Sequence, residues 1–198
     1  MEHVGHRPRQ SQASAAERHW LERWKAGDGQ AFQPLVKPFL PGLMALARRH
    51  CRDPHWAEDL VQETLVRALR GLAGFRGDSS LRTWLFRILV RLAAEPSRWR
   101  RGEPKGGGET GLGDSEVPDH LGPLPVHGAI ARELQDRLDE AMERLTRRQR
   151  TALHLRAVEG MDYATISAVL ACTPVAARMH VLEARRKVLA RVQEHLDP

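Results

Sequence analysis

Three groups of residues carry chemistry. Asp59, Gln62 and Glu63 stand at i, i+3 and i+4, so a helix puts them on one acidic, hydrogen-bonding face. Such a face suits arginines and lysines of a partner. The second group is basic and aromatic. Between Arg76 and Arg101 there are seven arginines against Asp78 and Glu95, with Trp84 and Trp99 among them. Arginine supplies phosphate contacts, and the indoles can stack on bases. Helical spacing with Ile88 also suits Trp84 to core packing. The third group follows Thr173-Pro174, an N-cap followed by a first-turn proline. Short helix, tight turn and longer helix make a helix-turn-helix whose last helix enters the major groove.

Catalysis and metal binding are poorly served. No Gly-rich phosphate loop, H-E-x-x-H or nucleophile elbow occurs. His50, Cys51 and His55 fit no standard zinc spacing. Cys51 and Cys172 do not make a disulfide framework and are expected to be reduced thiols. No enzyme activity, cofactor or metal is expected.

The elements that must position these groups are helical. The 198 residues allow one or two domains. Aromatics are only 5%, and Ala, Leu and Arg abound, which favours small all-α domains. Net charge is +6 and the pI about 10.1, which points to a polyanionic partner. No apolar run approaches the roughly 18 residues of a membrane span, and the N-terminus lacks a signal-peptide core. A cytoplasmic protein without stable membrane insertion is expected.

Residues 1–15 are polar and aperiodic and read as a disordered extension. Trp20, Leu21 and Trp24 mark a first helix that Gly27-Asp28-Gly29 stops. Pro34, Pro38 and Pro41 break the next segment. Asp53-Pro54 precedes the helix of Asp59, whose expected buried stripe is Val61, Leu65, Ala68, Leu69 and Leu72. Asp78, Ser79 or Ser80 offers a cap for a helix carrying Trp84, Leu85, Ile88, Leu89 and Leu92 inward. Arg82, Arg87 and Arg91 are expected mostly outward. Residues 102–128, rich in Gly and Pro, carry Glu103, Glu109, Asp114, Glu116 and Asp119 against Lys105 and read as a flexible acidic linker. Beyond it, Ile130, Leu134, Leu138, Ala141 and Leu145 form a stripe. Thr146 caps a helix through Ala152, Leu153, Leu155 and Val158, and Asp162 caps a short one with Tyr163, Ile166, Val169 and Leu170. The expectation is two small helical domains, 16–101 and 129–198, joined by the linker.

Glu58-Asp-Leu-Val-Gln-Glu-Thr64, Phe75-Arg-Gly-Asp78 and Trp84-Leu-Phe-Arg-Ile88 resemble region 2 of the extracytoplasmic-function sigma factors of bacterial RNA polymerase. Leu145-Thr-Arg-Arg-Gln-Arg150, Val158 to Ile166, Leu170-Ala-Cys-Thr-Pro174 and Ala184-Arg-Arg-Lys187 resemble region 4. The resemblance spans about residues 16–195 apart from the linker. It implies core polymerase and promoter DNA as partners, and an anti-sigma factor that holds the protein off. Asp59, Gln62 and Glu63 would bind polymerase. Phe75, Arg76, Asp78, Ser79, Ser80, Trp84, Arg87, Arg91 and Arg98 would serve the minus-10 element, where opening DNA requires a base pocket. Pro174, Val175, Ala176, Arg178, Met179, His180 and Arg185 would serve the minus-35 element. Arg178 is the foremost candidate for a base or phosphate contact. Arg147, Arg148, Arg186 and Lys187, with Arg185, would contact phosphates. In the family the linker threads through the polymerase cleft.

The alternative is a stand-alone helix-turn-helix regulator, which has no need of the Asp59 face or the Phe75–Ser80 loop. Departures from the family pattern fall at Arg91, Glu95 and Pro96, and at His180 and Glu183. A Glu183 facing phosphate would weaken binding. The expected outcome is an unusual minus-35 sequence or weak dependence on it. Transcription from promoters with swapped minus-35 base pairs tests this; a strong preference for the family consensus overturns both forms.

Overall fold

The computed structural model describes residues 14–51, 53–95, 138 and 140–193. Residues 1–13 of the 1–15 extension, residues 96–137 with the whole linker, Arg98, Trp99, Ile130 and Leu134 lie outside the described residues. Helices are α1 Ala15–Lys25, α2 Phe32–Val36, α3 Leu40–His50, α4 Pro54–Gly71, α5 Leu81–Ala94, α6 Arg147–Ala157, α7 Tyr163–Leu170 and α8 Pro174–Gln193. No strand occurs among the described residues, and no single helix there is long and apolar enough to cross a membrane.

Local chemistry starts each helix. Ser14 accepts from Glu17 N ahead of α1, and Asp53 accepts from His55 N ahead of α4, where Pro54 needs no partner for its nitrogen. The proline-rich stretch is broken as expected: 3₁₀ turns Gly29–Ala31 and Lys37–Phe39 bracket α2 before α3 begins. Of the three candidate caps for α5, Ser80 is the one used, accepting from Thr83 N.

Helices α3, α4 and α5 bury Leu43, Leu46, Leu60, Leu85, Phe86, Leu89 and Leu92 almost completely, each contributing about 1.5–3 kcal/mol. The buried stripe of α4 is Ala57, Leu60, Val61, Thr64 and Ala68. Leu69 is not part of it and remains 40% exposed. Its 100° step from Ala68 carries it past the edge of the core-facing arc.

In the second domain Thr146 and Gln149 form a capping box at α6, and Asp162 accepts from Thr165 N at α7. Gly160, at φ +66°, makes the turn after α6. Val158, expected within the helix, follows its last residue Ala157 and is 63% exposed where the chain turns away. The turn between α7 and α8 passes through Ala171 at φ 50°, ψ 53°. Thr173 accepts from Ala176 N and starts α8. Ala177, Val181 and Ala184 are the buried side of α8.

The two domains pack together: one apolar cluster runs from Leu35 through Leu92 to Ala152, Leu155, Ile166 and Val181. A second, small cluster joins Met142, Leu145 and Ala184.

An L-residue in the left-handed region costs about 1–2 kcal/mol, partly offset by the larger chain entropy of glycine. Ala171→Gly is therefore expected to stabilise the second domain by about 0.5–1 kcal/mol. Denaturant unfolding measures it; a loss of stability overturns the strain argument.

Candidate functional site

Asp59 and Gln62 project from α4 into solvent. Beside them lies an open apolar groove of about 470 Å³, lined by Leu40, Pro41, Met44, Glu58, Val61, Gln62 and Leu65. Glu63 is half-buried: it accepts from Arg67 Nε at 3.0 Å, and Arg67 reaches on to both carboxylate oxygens of Glu95. These carboxylates hold the Arg67 guanidinium above its usual pKa. Glu95 thus ties the end of α5 to α4. The face of α4 combines polar and charged acceptors with an apolar trough, a combination suited to a basic, amphipathic helix.

The loop after α4 is built around an aromatic pair. Phe75 and Trp84 stand with ring centroids 5.2 Å apart. Trp84 lies over Gly71, where an added Cβ would meet the indole at 3.2 Å. Trp84 is therefore partly in the core. Gly77, at φ +79°, turns the chain so that Arg76 and Asp78 are exposed, with Ser79 and Ser80 half-buried.

Arg82 and Arg87 differ from the outward placement expected of them. Arg82 donates to the Glu159 backbone carbonyl at 2.9 Å and to its carboxylate. Arg87 Nε donates to Ala168 O at 3.0 Å. From the other side, Arg147 donates to Ala93 O at 2.5 Å and Arg150 to Arg49 O at 3.2 Å. Arg147, expected on phosphate, is thus used between domains. Carbonyl oxygens at the ends of α3 and α5 lack intrahelical partners, and arginines of α6 supply them. Arg91 is exposed at the surface of α5.

On α8, Val175, Arg178, Met179 and Arg185 are exposed, Pro174 stands at the entry, and Ala176 and His180 are half-buried. Glu183 does not face open groove. It accepts from Gln149 Nε2 at 2.7 Å, while Lys187 donates to Gln149 Oε1 at 3.1 Å. The expectation of a carboxylate against phosphate is corrected by this pairing with α6.

Sequence reasoning missed the interdomain seam. The Glu159 carboxylate is nearly buried between Arg82 and His154, and a Cβ on Gly42 would come within 2.8 Å of it. An anion at a helix C-terminus opposes the helix dipole, and that was the one available signal. His50 Nε2 lies 3.2 Å from Thr151 Oγ1. Burial, then Arg147, Arg150 and His154, lower His50 to about 3. Burial also lowers His154, opposed by Glu159. Burial pushes the Cys51 thiol up to about 11. Among the described residues no group of three or more His, Cys, Asp or Glu could hold a metal.

The architecture is that of a two-domain helical protein whose second domain is a helix-turn-helix. The family described as Sigma-70 region 2 matches residues 35–102, and Sigma-70, region 4, matches residues 135–188. The RNA polymerase sigma-H factor of Pseudomonas aeruginosa is 30% identical over 174 residues, covering 85% of this chain and 89% of the relative. The ECF RNA polymerase sigma-E factor of Escherichia coli K12 is 29% identical over 178 residues, covering 87% and 92%. CnrH, solved with the cytosolic domain of CnrY, superposes with a TM-score of 0.66 at 25% identity, covering 91% of this chain and 99% of that one. The sigma factor RpoE, solved with the anti-sigma factor NepR from Bartonella quintana, gives 0.64 at 25%, covering 82% and 96%. The chain belongs to the sigma-70 family of RNA polymerase sigma factors, in the extracytoplasmic-function group.

The seam carries a pH dependence. Both imidazoles are held below their ordinary value of 6.5, so opening or unfolding takes up protons. Stability present above pH 6.5 is lost as pH falls through that value toward the lowered folded-state values. Melting temperature should fall between pH 7.5 and 5, with His50→Gln reducing the slope; an unchanged slope in that variant overturns the assignment to His50.

Proposed function

We propose that the chain directs core RNA polymerase to promoters through three surfaces. The exposed Asp59 and Gln62, with Glu63 and the adjoining apolar groove, join the polymerase. The loop from Phe75 to Ser80, with Trp84, Arg87, Arg91 and Arg98, binds and opens the minus-10 element. The first turns of α8 read the minus-35 element as duplex. The unit 16–101 carries the first two tasks and 129–198 the third, with 102–128 as the tether and 1–15 as an extension. The protein acts as a regulatory subunit in the cytoplasm beside the polymerase and has no catalytic residues of its own.

One observation carries this reading: a single chain presents both an acidic helix face beside an apolar groove and a solvent-facing reading helix. A stand-alone regulator needs only the second. The packed arrangement adds a condition. Arg87 is held by Ala168 O, so its use on the minus-10 element requires the domains to separate. Structural relatives were solved bound to CnrY and to the anti-sigma factor NepR. That supports an anti-sigma factor as a partner here.

Gel filtration with core polymerase and promoter-selective run-off transcription test the reading. The wild-type chain is expected to co-elute and to create new start sites. Asp59→Ala with Gln62→Ala should abolish co-elution while circular dichroism is unchanged. Normal co-elution of the double variant overturns the assignment of that face. Wild-type protein that fails to co-elute yet binds duplex DNA is a stand-alone regulator.

A further inference from the structure

The reading helix is unusually apolar on its outer side. Val175, Met179 and Leu182 are 72%, 47% and 43% exposed. Their spacing of i, i+4 and i+7 puts them on one ridge, opposite the buried Ala177, Val181 and Ala184. Single exposed apolar residues are ordinary, but a ridge starting at the second residue of a helix-turn-helix reading helix has a defined neighbour. Cations flank it. Arg178 and Arg185 lie on one side and Lys187, which also donates to Gln149 Oε1, on the other, by the 100° step of the helix. An apolar ridge between two cationic margins matches a major groove between two phosphate strands better than it matches an apolar protein surface.

The chemistry available on the ridge is narrow. Val175, Ala176 and Met179 have no strong side-chain hydrogen-bonding group. Glu183, which could accept from a cytosine amino group, is taken by Gln149. The one apolar feature that distinguishes base pairs in the major groove is the thymine 5-methyl.

We propose that Val175 and Met179 read thymine 5-methyl groups in the minus-35 duplex, so that specificity there rests on methyl contact as well as on Arg178. This rests on the reading of α8 as the minus-35 helix. Val175 and Met179 are four residues apart, a rise of about 6 Å. That spans roughly two base-pair steps, so the two side chains meet thymines at neighbouring or next-neighbouring positions. Leu182, a turn further along, lies toward the groove's edge.

The test uses the full chain assembled with core polymerase. Promoters are first selected from a library randomised over the minus-35 region. Each minus-35 thymine is then replaced by deoxyuridine, which removes the methyl and keeps the base pair. Holoenzyme affinity should fall about fourfold per contacted methyl. Val175→Ala with Met179→Ala should bind the thymine and deoxyuridine duplexes alike. Equal wild-type binding to both duplexes, with other minus-35 substitutions still harmful, overturns methyl reading and leaves the minus-35 assignment standing. Indifference to every minus-35 change overturns both. Weakened holoenzyme assembly in the double variant, with promoter selection unchanged, makes the ridge a protein contact and overturns the proposal.

Discussion

The Glu159 carboxylate is the contact on which the packed form depends. It stands at the end of α6, where the helix dipole disfavours an anion, and it is nearly buried. Two features offset that cost. Arg82 grips both its carboxylate and its carbonyl, and Gly42 leaves the room that a Cβ would fill. A buried ion pair contributes little net stability but is costly to break on one side. Its value here is registration: with Glu159 seated, Arg87 meets Ala168 O, Arg147 meets Ala93 O, and His50 meets Thr151.

Those contacts hold side chains to which the proposed function gives other work. Arg87 belongs to the surface proposed for the minus-10 element, and Arg147 to the margin of the helix-turn-helix. Each cation satisfies a helix-end carbonyl when the domains are packed, and on that proposal would face phosphate when they are apart. The polar seam suits such an exchange, because hydrogen bonds to carbonyls are replaced by hydrogen bonds to water or phosphate with small net change. The apolar part of the interface opposes separation, so separation would need a partner to compensate for it. The acidic face of α4 remains outside the seam: Asp59 and Gln62 are exposed while the domains are packed.

Within the second domain, a small polar network decides what the reading helix presents. Gln149 caps α6, accepts from Lys187 and donates to Glu183. That draws the acidic side chain of α8 toward α6. The outer ridge is left to Val175, Met179 and Leu182. A residue that looks unfavourable for DNA in the linear sequence is thus a structural partner.

Much of this was legible in the sequence. Proline positions marked the interrupted α2–α3 segment. Thr146, Asp162 and Thr173 marked helix starts. These signals are local: a cap or a proline acts within four residues, and apolar periodicity reports which side of one helix turns inward. The same periodicity misplaced Leu69, because the edge of a buried arc is set by what packs against it. The seam was legible only in the misplaced charge of Glu159 at a helix C-terminus. Arg82 and Glu159 are 77 residues apart, and Arg87 and Ala168 are 81 apart. Their bonds run largely to backbone carbonyls, which every residue carries, so no residue type or spacing announces them. Sequence alone determined the helices, most of their starts and the chemical character of their faces. The tertiary packing alone decided that the arginines of α5 and α6 close the domains on each other, because only there do helix-end carbonyls and the Glu159 carboxylate come within reach.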